Sequence, residues 1–447
     1  MGTLYVDTGG NPANSGSTDS ASATLTGTSA TFVSGTTVQL DSGTDLSSVE
    51  TSGASQSTIN IAGATNTNRT IFWITAVSGS GGATPQVTLD VAPTGMTTNS
   101  WRIGGQYVFP SSNTANVIVN ALRAGDTLQF NNTPSGKTST YITSNVAGDN
   151  TSGRIRVIGR SGVRPVLANT GAGVSPISVS HAGWHFENLE ITSTANGAIM
   201  QLSAGAHVYN LKISGSSGGS IQHGIVMAGN GSVIKGCEIG PVIGSGINPQ
   251  SSVTMGLIVG NYIHDCTVDG ITEGGTGPGV AIVGNVIEGN TGRGIYFSGS
   301  TTAQSHALLV YGNTIYGNGN SGFEVADADS VVLLVNNIIQ STLTGVATAK
   351  WAAGSGQLVS MHSNNVFYNS ADANSGVSGF TLNSTESSSD PLLVNPGSNN
   401  FAISSSSPAA EAGMLGALPV SSASTGYQDI GAVQRQAVAA RAYVIGS

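Results

Sequence analysis

The sequence predicts an all-β chain: a solenoid of short parallel strands wound in coils of 22–28 residues, preceded by a small antiparallel β-sandwich or barrel. Three observations predict it. Of 447 residues, 63 are glycine and only 8% are charged, with Ser, Thr and Asn filling the balance. A four-residue phrase occurs eight times between residues 188 and 367. Residues 1–105 lack that phrase and carry alternating runs such as STINIA, TIFWIT and QVTLDV, the period-2 mark of half-buried strands.

Composition excludes several classes. Net charge is −9, modest for this length, and Ile, Val and Leu recur throughout, so disorder is out. Glycine has no three-residue period, which excludes collagen. The 14 basic residues are scattered and form no stripe to neutralise phosphates or an anionic membrane, so neither nucleic acid nor a membrane is an expected partner. There is no apolar run of 18 residues. MGTLYVDTGG lacks a basic segment followed by an apolar one and is not a signal peptide; Met1-Gly2 resembles a myristoylation start, but Leu4-Tyr5-Val6 reads as a strand. Synthesis in a cytoplasm is the expectation. The two cysteines, Cys237 and Cys266, make no framework, and a small buried thiol is the reading for each over a disulfide or a nucleophile. The seven histidines show no zinc spacing, and no metal or cofactor is expected.

The phrase runs NLEI (188), NLKI (210), GCEI (236), GNYI (260), GNVI (284), GNTI (312), NNII (336) and NNVF (364), at steps of 22, 26, 24, 24, 28, 24 and 28 residues. A second phrase follows each of the first seven at about eight to thirteen residues: GAIM, HGIV, SGIN, DGIT, RGIY, SGFE and TGVA. Apolar runs such as GLIVG and VVLLVNN precede most of the first. Runs this short, broken by Gly and Asn, cannot be helical repeats. One coil cannot bury its own apolar side, so coils must stack, each strand pairing with its counterpart about 4.8 Å away.

Alignment of the coils yields columns. The second place of the phrase holds Leu189, Leu211 and Cys237, then Asn261, Asn285, Asn313, Asn337 and Asn365. Stacked Asn amides can hydrogen-bond along the axis and tolerate left-handed backbone at a corner. Two residues on lies an inward ladder, Ile191, Ile213, Ile239, Ile263, Ile287, Ile315, Ile339 and Phe367.

Over roughly residues 106–435 these phrases and columns resemble the right-handed parallel β-helix family shared by pectate lyases and phage tailspikes. The fold expected is therefore a right-handed parallel β-helix. Residues 106–380 form the helix, with a cap helix near 114–124 in TANVIVNALRAG. Residues 381–447 form a closing coil and C-terminal cap, where Asp390, Glu411 and Asp429 serve turns. A β-module over 1–105 ahead of such a solenoid resembles phage virion proteins, in which the first module attaches to the particle or oligomerises.

One residue after the inward ladder lies an outward column containing His264, Glu288 and Tyr316. A second outward column holds Thr272, Tyr296 and Glu324, and turns nearby supply Asp265, Asp269, Glu273, Arg293, Asp327 and Asp329. Tyr262, His264, Tyr296 and Tyr316 are the candidate binding residues, since aromatic faces stack on sugar rings. Asp265, Asp269, Glu288 and Glu324 are the candidate catalytic carboxylates, because glycoside hydrolysis needs two of them about 5–9.5 Å apart. Against this stands solvated decoration, which any regular solenoid shows, so none of them is assigned a catalytic role. Asp327 and Asp329 straddle a turn that could hold calcium.

The functional expectation that follows is a bacteriophage virion structural protein, a capsid decoration or tail appendage. It would be made in the host cytoplasm, carry a host-glycan-binding face, assemble as a homotrimer and contact other virion proteins through residues 1–105. The alternative is an enzyme, a tailspike depolymerase, polysaccharide lyase or glycoside hydrolase cleaving the host surface polysaccharide. A third is a secreted bacterial adhesin.

Overall fold

The structure is a computed structural model. It describes all residues except 1–2, 7–22, 53–54, 63, 65–70, 97, 105–118, 135, 137–139, 145–146, 149–152, 172–174, 195–196, 204, 216–221, 251–252, 254, 274–278, 298–306, 327–330, 352–359, 415–427 and 435–447. The chain divides into two compact units, Met1–Ala195 and Asn196–Ser447.

In the first unit the alternating runs close into a six-stranded antiparallel barrel, so the choice between sandwich and barrel resolves to the barrel. Its strands are Leu25–Ser34, Thr37–Gln39, Thr58–Ile61, Ile71–Ser78, Gln86–Leu89 and Thr98–Ile103. Closure leaves no free sheet edge. Val38, Ile59, Ile61, Phe72, Ile74, Val87 and Trp101 fill the interior. The buried Trp101 indole donates to Asp41 Oδ2 at 2.7 Å. Burial alone would raise the Asp41 pKa, but donors from Ser29, Trp101 and Thr28 outweigh it and hold the carboxyl below its ordinary value.

Strand Thr3–Val6 is not part of this barrel. It pairs in parallel with Thr127–Phe130, which pairs in turn with Ile155–Gly159. The chain thus starts in the first coils, leaves to build the barrel and returns. Buried Trp73 donates from its indole to the Ala121 carbonyl at 2.7 Å, and the Arg123 guanidinium lies 4.2 Å above the Trp73 ring. Most of the expected cap helix lies outside the described residues; what is described is a 3-10 turn, Val119–Ala121, followed by buried Leu122.

The second unit is a parallel solenoid of three faces. Face A comprises His207–Tyr209, Val233–Lys235, Gly256–Val259, Val280–Val283, Ala307–Tyr311, Val331–Val335 and Ser360–Ser363. Face B comprises Lys212–Gly215, Glu238–Ile239, Tyr262–His264, Val286–Glu288, Thr314–Tyr316, Ile338–Ser341 and Val366–Asn369. Face C comprises Gly197–Leu202, Gln222–Met227, Ile247–Pro249, Ile271–Glu273, Ile295–Phe297, Phe323–Val325, Ala349–Trp351 and Val377–Ser378. In the last full coil the face C strand falls on Ala349–Trp351, not on TGVA, because a turn there displaces the apolar place by several residues.

The inward ladder is as expected: Ile213 through Phe367, and Ile191 in the first unit, are fully buried. The glycine of the second phrase has a packing cause. A Cβ on Gly270, Gly294 or Gly322 would lie 2.4 Å from the Cγ2 of Ile287, Ile315 or Ile339. The isoleucine of one face fills the space that a side chain would need on another.

The asparagine column is a hydrogen-bonded ladder. Each Oδ1 accepts the backbone N–H and the side-chain Nδ2 of the Asn one coil earlier, at 2.9–3.0 Å, from Asn261 through Asn365. Each Nδ2 also donates to a face A carbonyl, so these buried amides are satisfied. The left-handed corner lies one residue earlier than expected. Positive φ falls on Gly236, Gly260, Gly284, Gly312, Asn336 and Asn364, the first place of the phrase. That place alternates Gly and Asn because those residues enter this region most readily. Cys237 heads the ladder, its N–H donating to Asn261 Oδ1 at 2.9 Å. Cys266 heads a second, shorter ladder with Asn290 and Asn318, and both cysteines are buried and outside any disulfide. Buried Glu386 ends the long ladder, accepting from Asn365 Nδ2 at 2.8 Å and pairing with His362 Nδ1 at 2.8 Å.

The described part of 391–434 folds back along the outside of face B. Ile403, Ala409 and Ile430 pack on Ile338 and Val366. The Ala432 N–H donates to Thr314 Oγ1 at 3.0 Å, and Phe401 meets the Tyr316 ring edge-on at 5.8 Å. Asp390 accepts from the Leu392 N–H and Asp429 from the Glu411 N–H, both 2.8 Å, the turn chemistry expected of them.

Candidate functional site

Face B presents two outward columns. One runs Lys212, Glu238, Tyr262, Val286, Thr314 and the other His264, Glu288, Tyr316, Gln340, in direct register. From Thr314 onward the C-terminal segment covers the face. The uncovered stretch therefore carries Lys212, Glu238, Tyr262, His264, Asp265 and Glu288, with Tyr316 at the wall.

These side chains form one network. The Tyr262 phenol donates to Glu288 Oε1 at 2.6 Å, and its ring stacks on the His264 imidazole at 4.3 Å and 17°. Burial and the Glu288 carboxylate push the Tyr262 pKa far up, so the phenol stays protonated. Burial, then Glu288, also raise that of Tyr316. His264 Nδ1 lies 2.9 Å from Asp265 Oδ2. That leaves Nε2 without a hydrogen-bond partner among the described residues, 3.8 Å from Glu238 Oε1. Lys212 Nζ engages the same oxygen, 3.0 Å from Glu238 Oε1. Asp265 has φ +52°, in a turn place where the next coils carry Gly289 and Gly317 at +63° and +59°. A 63%-exposed carboxylate thus sits where glycine is the easier choice.

The other candidates lie on face C and its turn. Thr272, Tyr296, Glu324 and Lys350 form the outward column there. Arg293 stacks over the Tyr296 ring at 3.8 Å and donates from Nε to Glu324 Oε2 at 2.9 Å. Ser321 and Lys350 complete the ring around Glu324, at 2.9 and 3.3 Å. Burial would raise the Glu324 pKa, but Arg293, Ser321 and Lys350 outweigh it and lower it. Asp269, 2% exposed, accepts the Arg293 backbone N–H at 2.6 Å and the Thr272 hydroxyl at 2.7 Å. Glu273 is also buried, on the inward side of the same strand. Asp269 and Glu324 are thus held by turn and ion-pair contacts, with Tyr296 capped by arginine. Asp327 and Asp329 lie outside the described residues.

The columns therefore separate the sequence candidates into two groups: Tyr262, His264, Asp265, Glu288 and Tyr316 on face B, and Asp269, Tyr296 and Glu324 on face C. Glu238 and Lys212 join the first group unanticipated, although the third place of the phrase carries them in NLKI and GCEI. Phe401 could not be read from any repeat. Among the described residues, no group of three or more His, Cys, Asp or Glu is placed to hold a metal ion, and no helix is long and apolar enough to cross a membrane.

Residues 196–372 match the family model for a right handed beta helix region. Together with three parallel faces, this gives the solenoid the right-handed parallel β-helix fold. A solved pectate lyase, Pel9A, aligns at TM-score 0.50 and 15% identity, covering 71% of this chain and 90% of that one. The periplasmic alginate epimerase AlgG aligns at 0.33 and 14%, covering 63% and 77%. The Dettilon tailspike protein aligns at 0.35 and 14%, covering 61% and 63%. No curated protein matches the sequence. These likenesses speak for the fold.

Proposed function

We propose that the protein is an adhesive component of a bacteriophage particle, a capsid decoration or tail appendage, that binds a host surface polysaccharide on the uncovered part of face B. The carrying observation is the stacked Tyr262–His264 pair beside Glu288, Glu238 and Asp265 on adjacent rungs. Planar rings beside a row of acceptors suit sugars, which offer apolar C–H faces and donor hydroxyls. Charge narrows the class. Three carboxylates face one lysine, itself engaged, so the surface favours neutral sugars over polyuronates. In this reading the barrel region, residues 1–105, contacts other virion proteins, and its anchoring to the first coils through Trp73 and Arg123 supports a load-bearing role.

One observation favours a second reading, a depolymerase of the same glycan. The Tyr262–Glu288 and His264–Asp265 hydrogen bonds are proton-carrying pairs on an exposed face. A single experiment addresses both. The protein is titrated calorimetrically with host surface glycan, and the mixture is assayed for new reducing ends. Saturable heat without product, lost in Tyr262→Ala, is the expected result. No heat with any host glycan overturns the adhesive reading; product abolished by Glu288→Gln replaces it with the enzymatic one. Gold-labelled antibody on purified particles tests the placement, with an unlabelled particle as the contrary result.

A further inference from the structure

The outward columns of face B are open at one end and shut at the other. The Lys212 and Glu238 side chains are 36% and 35% exposed. Two rungs past Tyr262, Thr314 holds the same outward place and is 0% exposed. The C-terminal segment crosses the face there. The Gly431 N–H donates to the Asn336 carbonyl at 2.8 Å, and a Cβ on Gly431 would lie 2.9 Å from Thr314 Oγ1, so backbone rests directly on the column. In the neighbouring column Phe401, 4% exposed, stands against the Tyr316 ring. Gln340, the next member, is 9% exposed, and its Oε1 has no hydrogen-bond partner among the described residues. The polar column thus runs on beneath the segment but is sealed from solvent.

We infer that the protein binds the end of a glycan chain, not its interior, with the terminal sugar seated against Tyr316 and the segment that carries Phe401. The inference rests on the glycan-binding reading of face B and deepens it. Two steps lead there. The first is direction. Glu238, the Tyr262–His264 pair and Glu288 lie on three successive rungs, ~4.8 Å apart, whereas the strand Tyr262–His264 is three residues wide, about 10 Å. A polymer that touches all of them runs along the axis. The second is termination. A chain laid that way has free space at the exposed Lys212–Glu238 pair and meets backbone at Thr314. That backbone is pinned by Ile403, Ala409 and Ile430 on Ile338 and Val366, so lifting it would return apolar surface to water. An interior stretch of polymer needs both ends of the track open, and a chain end needs only one.

The test is calorimetric stoichiometry on the full chain, with host surface polysaccharide sized into fragments of known length. One protein should bind per glycan chain whatever its length. Affinity per chain should stop rising once a fragment fills the three rung spacings from Lys212 to Glu288, about 14 Å. Phe401→Leu keeps an apolar side chain in the segment but removes the ring beside Tyr316. It should weaken every fragment about fivefold at unchanged circular dichroism; should it unfold, the length series alone decides. Protein bound in proportion to chain length overturns the inference and leaves glycan binding intact. A folded Phe401→Leu with unchanged affinity overturns the seat given to the terminal sugar. No heat at any length removes the glycan-binding reading itself, and this inference with it.

Discussion

The Asn313 side chain makes five hydrogen bonds in a fully buried place: its Oδ1 accepts two from Asn285, and its Nδ2 donates to Ile282, Tyr311 and Asn337. Removing that side chain leaves the Asn285 N–H and Nδ2 facing a void, and an orphaned buried donor costs about 1–3 kcal/mol. Asn313→Ala should therefore lower stability by about 2–5 kcal/mol, read as a drop in the urea midpoint. A loss under about 0.5 kcal/mol would mean the ladder is ornamental. Glu324 supplies a pH-dependent counterpart. Its pKa is lower folded than unfolded, so its contribution is complete above the ordinary glutamate range and disappears as pH falls through the folded value. Glu324→Gln should flatten the acid limb of the stability curve from the ordinary glutamate range downward while leaving the alkaline limb unchanged. An unchanged acid limb would show that Arg293 and Lys350 do not stabilise the ionised form.

At the scale of the strand and turn, the two glycine places differ in cause and so in tolerance. Gly284 sits at φ +64°, where Asn336 and Asn364 stand in later coils. Gly284→Asn should change stability by less than about 0.5 kcal/mol, and Gly284→Val should cost about 1–2 kcal/mol. Gly294 is excluded from substitution by contact, with Ile315 Cγ2 and the Gly322 carbonyl 2.4 and 2.5 Å from any Cβ. Gly294→Ala should cost about 1–3 kcal/mol by overpacking. Thermal unfolding of the three variants checks the ranking; equal losses would refute it. The same places explain what could be read in advance. A fixed phrase of four residues carries its own register, so the pairing of His264 with Glu288 and of Tyr296 with Glu324 followed from spacing alone. The Asn290–Asn318 ladder did not, because Cys266 and two asparagines are too few members to make a column. Nor did the shift of the last face C strand to Ala349–Trp351, where loop length changed without a change in composition.

Across the whole molecule, the least legible features are contacts far apart in sequence. Thr3–Val6 looks like any strand of the first hundred residues, yet it pairs with Thr127–Phe130. Nothing periodic links Phe401 to Tyr316 or Ile430 to Ile338. The first of these contacts has a consequence. A chain starting at residue 106 lacks Thr3–Val6 and leaves Thr127–Phe130 as an open parallel edge, a template for further pairing. Such a chain should scatter light and aggregate at concentrations where the full chain stays clear; equal clarity would show that the edge is protected in another way.

Stacking delivers all of this, and the proposed glycan-binding patch between Lys212 and Tyr316 is its product. Covalent footprinting of side chains with and without host glycan tests that patch most directly. The account predicts that Tyr262, His264 and Glu288 lose reactivity on binding while Tyr296 and Lys350 on face C keep theirs. Protection confined to face C, or none on either face at saturating glycan, would contradict it.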